Sequence, residues 1–384
     1  MSASPIGVLL GADSLLGPRS GIGRQAFEVA CRLHQDQTVG ELALLVGEGC
    51  LNVEELDTLA RADMAAGTRG ASRMIAAAVP GAAFVRGVWQ RRRMNRLAAA
   101  MAQRIDGRVV YHEVNLIARP FDGVTVVTVH DLSWRANPQW HQADRIAWIE
   151  RRLPRTLAQA SRFVCVSEFT ASDVQRELGV TRSRIDVVCP GVSAIFRPMS
   201  QDEASPVLGR FGLAERGYLF AVSTLEPQKN FDRLLAAHGL LPPALQRRFP
   251  LVIAGGRGWG ETLANAGAER ARCDGTLRLI GHVTDDDLVA LYARCAAVAY
   301  VSLYEGFGLP VLEAMACGAP VIASSTTSVG ETAGDAAVLV EPGDTEAITA
   351  ALQRVLTDEA FAAELVTRGR QRAASFTWDA MTQA

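Results

Sequence analysis

Lysine is almost missing from this chain: Lys229 stands alone, and the other 38 of its 39 basic residues are arginines. Net charge is missing too. The 39 basic residues face 41 acidic ones, a formal balance of -2, so no global field favours nucleic acid. No stretch reaches ~18 uninterrupted apolar residues, and the first 30 residues lack the charged start and long apolar run of a signal peptide. A soluble or peripheral protein is the expectation. The seven cysteines include no Cys-x-x-Cys pair, which argues against a disulfide framework or zinc ligands and for free thiols in a reducing cytosol. With 49% hydrophobic and 21% charged residues, general disorder is excluded.

What is present is an alternation. The 384 residues amount to about twice one ordinary domain. Short β-branched apolar runs alternate with longer helical patterns throughout, which predicts parallel α/β sheets. Predicted strands are 6–10, 42–46, 109–111, 124–129, 163–166 and 185–188, then 218–222, 251–254, 277–280, 297–301, 320–323 and 338–340. Pro198 and the polar, aperiodic stretch to Pro206 predict a boundary. The expected domains are 1–198 and 207–365 with a linker at 199–206, and a C-terminal helix, 366–384, returning toward the first domain. Two doubly wound domains should face one another across a cleft, with ligands beyond the carboxyl ends of the strands.

The segment Ser302–Gly318, SLYEGFGLPVLEAMACG, follows the predicted strand AAVAYV. Gly306 and Gly308 permit a tight loop around Phe307, Leu309 and Pro310 open a helix, and Gly318 suits its end. Free N–H groups and the positive dipole end of that helix favour a phosphate. Glu313 lies nearly one turn in, and Glu305 eight positions earlier on the loop. One anion flanked by two hydroxyl acceptors describes a sugar nucleotide; the alternative is a solvated acidic turn. Lys229 falls in the loop after YLFAV, where a compact ammonium can approach a diphosphate oxygen that a planar guanidinium would approach differently.

These residues resemble the retaining glycosyltransferases of family 4, also called group 1, in EGFGLPVLEAMACGAPVIAS (305–324). The resemblance extends to SGIGRQAFEVA (20–30), VHDLSW (129–134), VSEFTASDV (166–174), CPGV (189–192), STLEPQKN (223–230), IAGGRGW (253–259) and IGHVTDDDL (280–288). It implies the GT-B fold, a nucleotide-sugar donor bound in the second domain, retention at the anomeric carbon, and neither metal nor cofactor. The acid run Asp285–Asp287 reads as a helix start instead of a metal motif. The resemblance places His130 and Asp131 next to the transferred sugar, and Gly21 and Gly23 where backbone approaches donor or acceptor. Thr224 and Gln228 occupy places where such enzymes usually carry an arginine near the lysine, so the second phosphate cation is either missing from this loop or supplied elsewhere, with Arg257 the candidate. Base recognition is expected along the backbone from Gly281 to Val283. VHDLSW and LEPQKN most resemble bacterial mannosyltransferases of O-antigen and exopolysaccharide synthesis, which implies GDP-mannose and a saccharide or lipid-linked acceptor, with no nucleic-acid partner.

Other readings stay open. One is a noncatalytic sugar-nucleotide binder or scaffold of the same fold; others are a UDP-sugar transferase and, more distantly, an epimerase or phosphorylase. Gly21 to Ala26 also fit the dinucleotide fingerprint G-x-G-x-x-A, but about ten residues separate them from the preceding strand, whereas a true fingerprint turns directly into its helix. Residues 64–105 hold eight arginines and no acid. Met94, Leu97, Ala98, Met101 and Ile105 recur there at helical spacing beside Trp89. The pattern fits either a basic amphipathic helix on an anionic membrane or a core helix with solvated arginines.

Overall fold

The computed structural model describes residues 5–16, 21–51 and 82–383. The chain divides into two compact units: Met1–Leu132, Asp144–Val188 and Trp378–Ala384 form one, Ser133–Ala143 and Cys189–Thr377 the other.

Among the described residues the first unit carries a seven-stranded sheet ordered β3-β2-β1-β4-β5-β6-β7. The strands are β1 (Ile6–Gly11), β2 (Val39–Val46), β3 (Gly49–Leu51), β4 (Arg108–Glu113), β5 (Val124–Val129), β6 (Arg162–Cys165) and β7 (Ile185–Val187). All pair in parallel except β3, which turns back on β2 with Leu44 opposite Leu51. Six strands lie where the apolar runs predicted them. β3 was not predicted, because three residues without a β-branched side chain give no periodicity. Leu9, Leu10, Val127, Val129 and Phe163 have no exposed surface, as expected of parallel strands covered on both faces. Each such side chain stabilises the fold by roughly 1.5–3 kcal/mol.

Right-handed crossovers place the helices. Helix α1 (Gly21–Gln35) joins β1 to β2 in one direction, whereas α2 (Ala82–Ile105) and α3 (Ala143–Gln159) lead the chain the opposite way. Helices α2 and α3 therefore share a face, and α1 covers the other. The apolar stripe of α2 belongs to the core: Met94, Ala98 and Met101 are buried, and a Cβ on Gly7 of β1 would come within 2.6 Å of Met101 Sδ. The expectation that this stripe could lie on a bilayer is thus corrected. Residues 64–81 of the arginine-rich stretch lie outside the described residues.

The second unit carries, among the described residues, an all-parallel six-stranded sheet ordered β10-β9-β8-β11-β12-β13. Its strands are β8 (Leu219–Val222), β9 (Leu251–Ala254), β10 (Leu277–Gly281), β11 (Ala297–Tyr300), β12 (Val321–Ser324) and β13 (Val338–Val340), each within two residues at either end of a predicted run. The stretch expected as a linker is instead a helix, Gln201–Phe211. Ser200 and Glu203 close a capping box over its start, Ser200 N donating to Glu203 Oε2 at 2.7 Å and Glu203 N to Ser200 Oγ at 3.3 Å. That S-x-x-E pattern, which satisfies two otherwise unpaired donors, was readable in the sequence and outweighs Pro206. The units part at Val188/Cys189. The expected terminal helix is two: Glu359–Ala374 stays with the second unit, and Trp378–Gln383 joins the first, where Asp379 accepts from Arg32 Nε at 3.0 Å. None of the seven cysteines forms a disulfide among the described residues; Cys165, Cys295 and Cys317 are buried, and Cys50 and Cys273 exposed.

Candidate active site

In the second sheet the strand order reverses between β8 and β11, and at such a reversal the loops leaving the two strands diverge and open a crevice at their carboxyl ends. Lys229 lies on the loop after β8, Glu305 on the loop after β11. The fold brings them into contact: Lys229 Nζ donates to Glu305 Oε1 at 2.8 Å, with each side chain 12% exposed. Tyr300, the last residue of β11, donates its hydroxyl to the same oxygen at 2.7 Å. Burial, and then the charge of Glu305, push the Tyr300 hydroxyl well above the usual tyrosine range, so it remains a donor at any working pH.

Both loops are held from behind. Leu303 N donates to Gln228 O at 2.8 Å, joining one loop to the other. Asn230 Nδ2 spans Val301 O at 2.9 Å and Pro342 O at 2.8 Å. On the far side, Ser328 Oγ donates to Glu305 O at 2.8 Å and Thr332 Oγ1 to Phe307 O at 2.6 Å. Gly308, at φ +96°, precedes α4 (Leu309–Ala316), whose N-terminus no side chain caps and whose second residue is Pro310. A residue with a Cβ is strained at that φ. The helix therefore presents backbone donors to an anion, and Glu313, 6% exposed, sits within its first turns and accepts from Tyr292 OH at 3.4 Å.

The remaining predicted residues of this unit lie on neighbouring loops. Gln228 is buried, with Nε2 on Glu226 at 3.2 Å and Oε1 lacking a partner among the described residues; an amide acceptor in that state is available to a ligand hydroxyl. Thr224 and Arg257 are exposed on the loops after β8 and β9, which pair through Leu225 and Arg257. The β9 loop starts at Gly255, φ +146°, where a Cβ would stand 1.9 Å from Ser223 O, so only glycine permits that approach. Gly255 N donates to Gly281 O at 2.7 Å, and Val283 follows two residues later. Thr284 caps the helix Asp285–Arg294, with Asp285–Asp287 in its first turn: the acid run is a helix start.

The first unit supplies a separate group. His130 and Asp131 follow β5. His130 Nε2 lies 2.7 Å from Val114 O, and since a carbonyl only accepts, Nε2 carries the proton. Burial holds the imidazole below its usual pKa, against the opposing effects of Val114 and Asp131, so the neutral ring presents Nδ1 as an acceptor. Gly21 and Gly23 occupy the first turn of α1. No sequence pattern marks Glu113 at the end of β4. It is buried under Gly11, whose Cβ would meet Glu113 Oε2 at 2.7 Å, and it accepts from Tyr111 OH at 2.5 Å and Asn115 N at 3.1 Å. Burial pushes its pKa up to about 7, against the lowering effects of Tyr111 and Arg119. Tyr300, Tyr292 and Asn230 carry no sequence signal either: only Tyr300 ends a strand, whereas Tyr292 lies within the helix Asp285–Arg294 and Asn230 just before the helix Phe231–Gly239.

Two doubly wound domains, with a lysine and two carboxylates around a helix N-terminus at the second sheet's reversal, define a two-domain transferase of the GT-B fold. The family described as "Glycosyl transferases group 1" matches residues 211–372, and "Glycosyltransferase Family 4" matches 67–194. An Escherichia coli "O-antigen chain mannosyltransferase B" is 33% identical over 380 residues, 98% of this chain and 97% of that one. A "D-inositol 3-phosphate glycosyltransferase" of Salinispora arenicola (strain CNS-205) is 34% identical over 70% of this chain and 63% of its own. The fold matches Anabaena Alr3699/HepE, solved "in complex with UDP and glucose", with a TM-score of 0.68 at 18% identity over 99% of this chain and 97% of that one. It also matches WaaG, "a glycosyltransferase involved in lipopolysaccharide biosynthesis", at 0.67 and 14% over 98% and 97%. The chain belongs to the group 1, family 4 glycosyltransferases.

Proposed function

We propose that this glycosyltransferase moves a hexose, mannose from GDP-mannose, with retention and without a metal, onto a saccharide or lipid-linked oligosaccharide in cell-surface polysaccharide synthesis. The observation that carries the donor half is the Lys229–Glu305 contact beside the uncapped start of α4. A diphosphate takes the ammonium and the helix N–H groups, while Glu313 and Gln228 receive hydroxyls and Glu305 holds the transferred sugar. Mannose is supported by the E. coli relative, an O-antigen chain mannosyltransferase by name; a UDP-sugar is the competing donor, favoured by the UDP in HepE.

In the reaction, a bond forms from an acceptor oxygen to the anomeric carbon on the face from which the diphosphate oxygen departs, and the acceptor proton passes to that diphosphate. Catalysis then rests on stabilising the charge that grows on the leaving group, the task for which Lys229 and the α4 dipole are placed. We assign the acceptor to the carboxyl edge of the first sheet, with His130 Nδ1 accepting from a sugar hydroxyl and Asp131, Gly21 and Gly23 around it. A cytoplasmic location with peripheral contact to the inner membrane face completes the reading.

The test is a thermal-shift panel of GDP, UDP, ADP and their sugars, because a ligand at 100 times its Kd stabilises by ~2.7 kcal/mol. GDP and GDP-mannose should raise Tm most. NMR of the product should show retained anomeric configuration, with turnover unchanged by a chelator. A larger shift with UDP-sugars would move the donor assignment, and binding without turnover would favour the scaffold reading.

A further inference from the structure

The shared face of α2 and α3 carries a surface that the donor and acceptor assignments leave unused. Over the two helices the sequence has ten arginines against Asp144 and Glu150. Arg91, Arg92 and Arg151 are exposed, and Arg93, Arg152 and Arg155 half-buried. The helices flank a single loop: Arg91 pairs with Asp122 at 3.6 Å, while Arg155 donates to Ala118 O at 3.1 Å and Gln159 accepts from Phe121 N at 3.2 Å. Their charges meet there. Burial and then the charges of Arg152 and Arg91 hold the Arg155 guanidinium below its usual range, so like charges crowd across the two helices, an arrangement that an anion relieves.

Two tryptophans stand out of the same pair of helices. Of the six in the chain, Trp89 on α2 is 51% exposed and Trp148 on α3 is 42% exposed, whereas Trp134 and Trp378 are buried. Each lies against an arginine: Arg93 is 5.6 Å from the Trp89 ring and Arg152 is 4.5 Å from that of Trp148. An indole with a guanidinium beside it suits the headgroup level of a bilayer, where the ring meets acyl chains and the cation meets phosphate.

We propose that α2 and α3 together form the docking surface for an anionic lipid bilayer, with Trp89 and Trp148 as the inserting side chains and the flanking arginines as phosphate contacts. Charge complementarity selects this occupant, and the spread over two helices distinguishes it from the single amphipathic helix that the sequence offered. It deepens the peripheral location proposed above and stands apart from the choice of sugar.

The test is co-sedimentation of the full chain with vesicles of phosphatidylcholine alone and of phosphatidylcholine with 30% phosphatidylglycerol, at ~0.1 and ~0.5 M salt. Binding should require the anionic lipid and weaken at least ~10-fold at the higher salt. Trp148→Ala and the pair Arg151→Glu with Arg152→Glu should each weaken it ~10-fold or more, while transfer to a soluble acceptor stays at wild-type rate. Equal sedimentation with both vesicles, none with either, or wild-type sedimentation by both variants would overturn the proposal, as would retention on heparin without vesicle binding. Anionic-vesicle binding by a wild-type chain that transfers no sugar from GDP-mannose would count against the proposed donor chemistry alone and leave the docking surface standing.

Discussion

The two sheets reverse their strand order once each, between β1 and β4 and between β8 and β11, yet they furnish the two crevices differently. At the second, Lys229 and Glu305 face each other as an ion pair, with Tyr300 on the same carboxylate oxygen. At the first, the carboxylate is Glu113, buried and pushed up to about 7, and the arginine near it, Arg119, bonds instead to Asp13 at 2.7 Å. One crevice holds paired charge in reach of a ligand; the other has drawn its carboxylate into the wall. On the function proposed above, the same topology serves a diphosphate in one unit and sugar hydroxyls in the other.

The largest expected effect follows from the charged crevice. Lys229→Ala should lower kcat by ~10²–10³-fold, about 3–4 kcal/mol of transition-state stabilisation, with Lys229→Arg restoring only part of it. Steady-state kinetics check this, and full activity in the Arg variant would show that any cation suffices. Glu305→Ala should mainly lower kcat and Glu313→Ala mainly weaken nucleotide binding.

The crevice of the first sheet makes a prediction in pH. A carboxyl raised from 4.5 to about 7 in the folded state contributes stability that is fully present below pH 4.5 and lost as pH rises through about 7. The groups facing it are Tyr111, Arg119, Asp13 and the Asn115 amide. Denaturant unfolding of wild type and Glu113→Gln should differ by a gap that changes by ~3 kcal/mol across that window, in the direction of relative gain for the variant as pH rises. A constant gap would mean that Glu113 titrates normally and that the contrast between the crevices is smaller than drawn.

Smaller effects sharpen the comparison. Tyr300→Phe keeps the ring and removes one donor to Glu305, so kcat should fall about 10-fold, roughly the 1.5 kcal/mol of a hydrogen bond to a charged group. Ser200→Ala should cost ~1 kcal/mol of stability through the lost cap and leave turnover unchanged.

The crevices also differ in how far they could be read from sequence. Twelve strands announced themselves through β-branched runs, and in the second unit the glycine loop, Pro310 and both glutamates lie within one continuous segment, so spacing alone placed a glycine loop before a helix start. The Lys229–Glu305 contact was beyond reach, because the partners are 76 residues apart and meet only through the order of the strands. Glu113 gave no signal at all: its character comes from burial beneath Gly11, which no local pattern records. The stripe on α2 was ambiguous for a physical reason, since a 3.6-residue period describes a core helix and a membrane-surface helix equally well.

The central claim, that the anion site belongs to the second unit and depends on Lys229, is tested most directly by calorimetric titration of GDP into wild type, Lys229→Ala and His130→Ala. Lys229→Ala should weaken binding at least ~10-fold, about 1.4 kcal/mol, and His130→Ala should bind as wild type does. Unchanged affinity in Lys229→Ala, or a loss confined to His130→Ala, would contradict it.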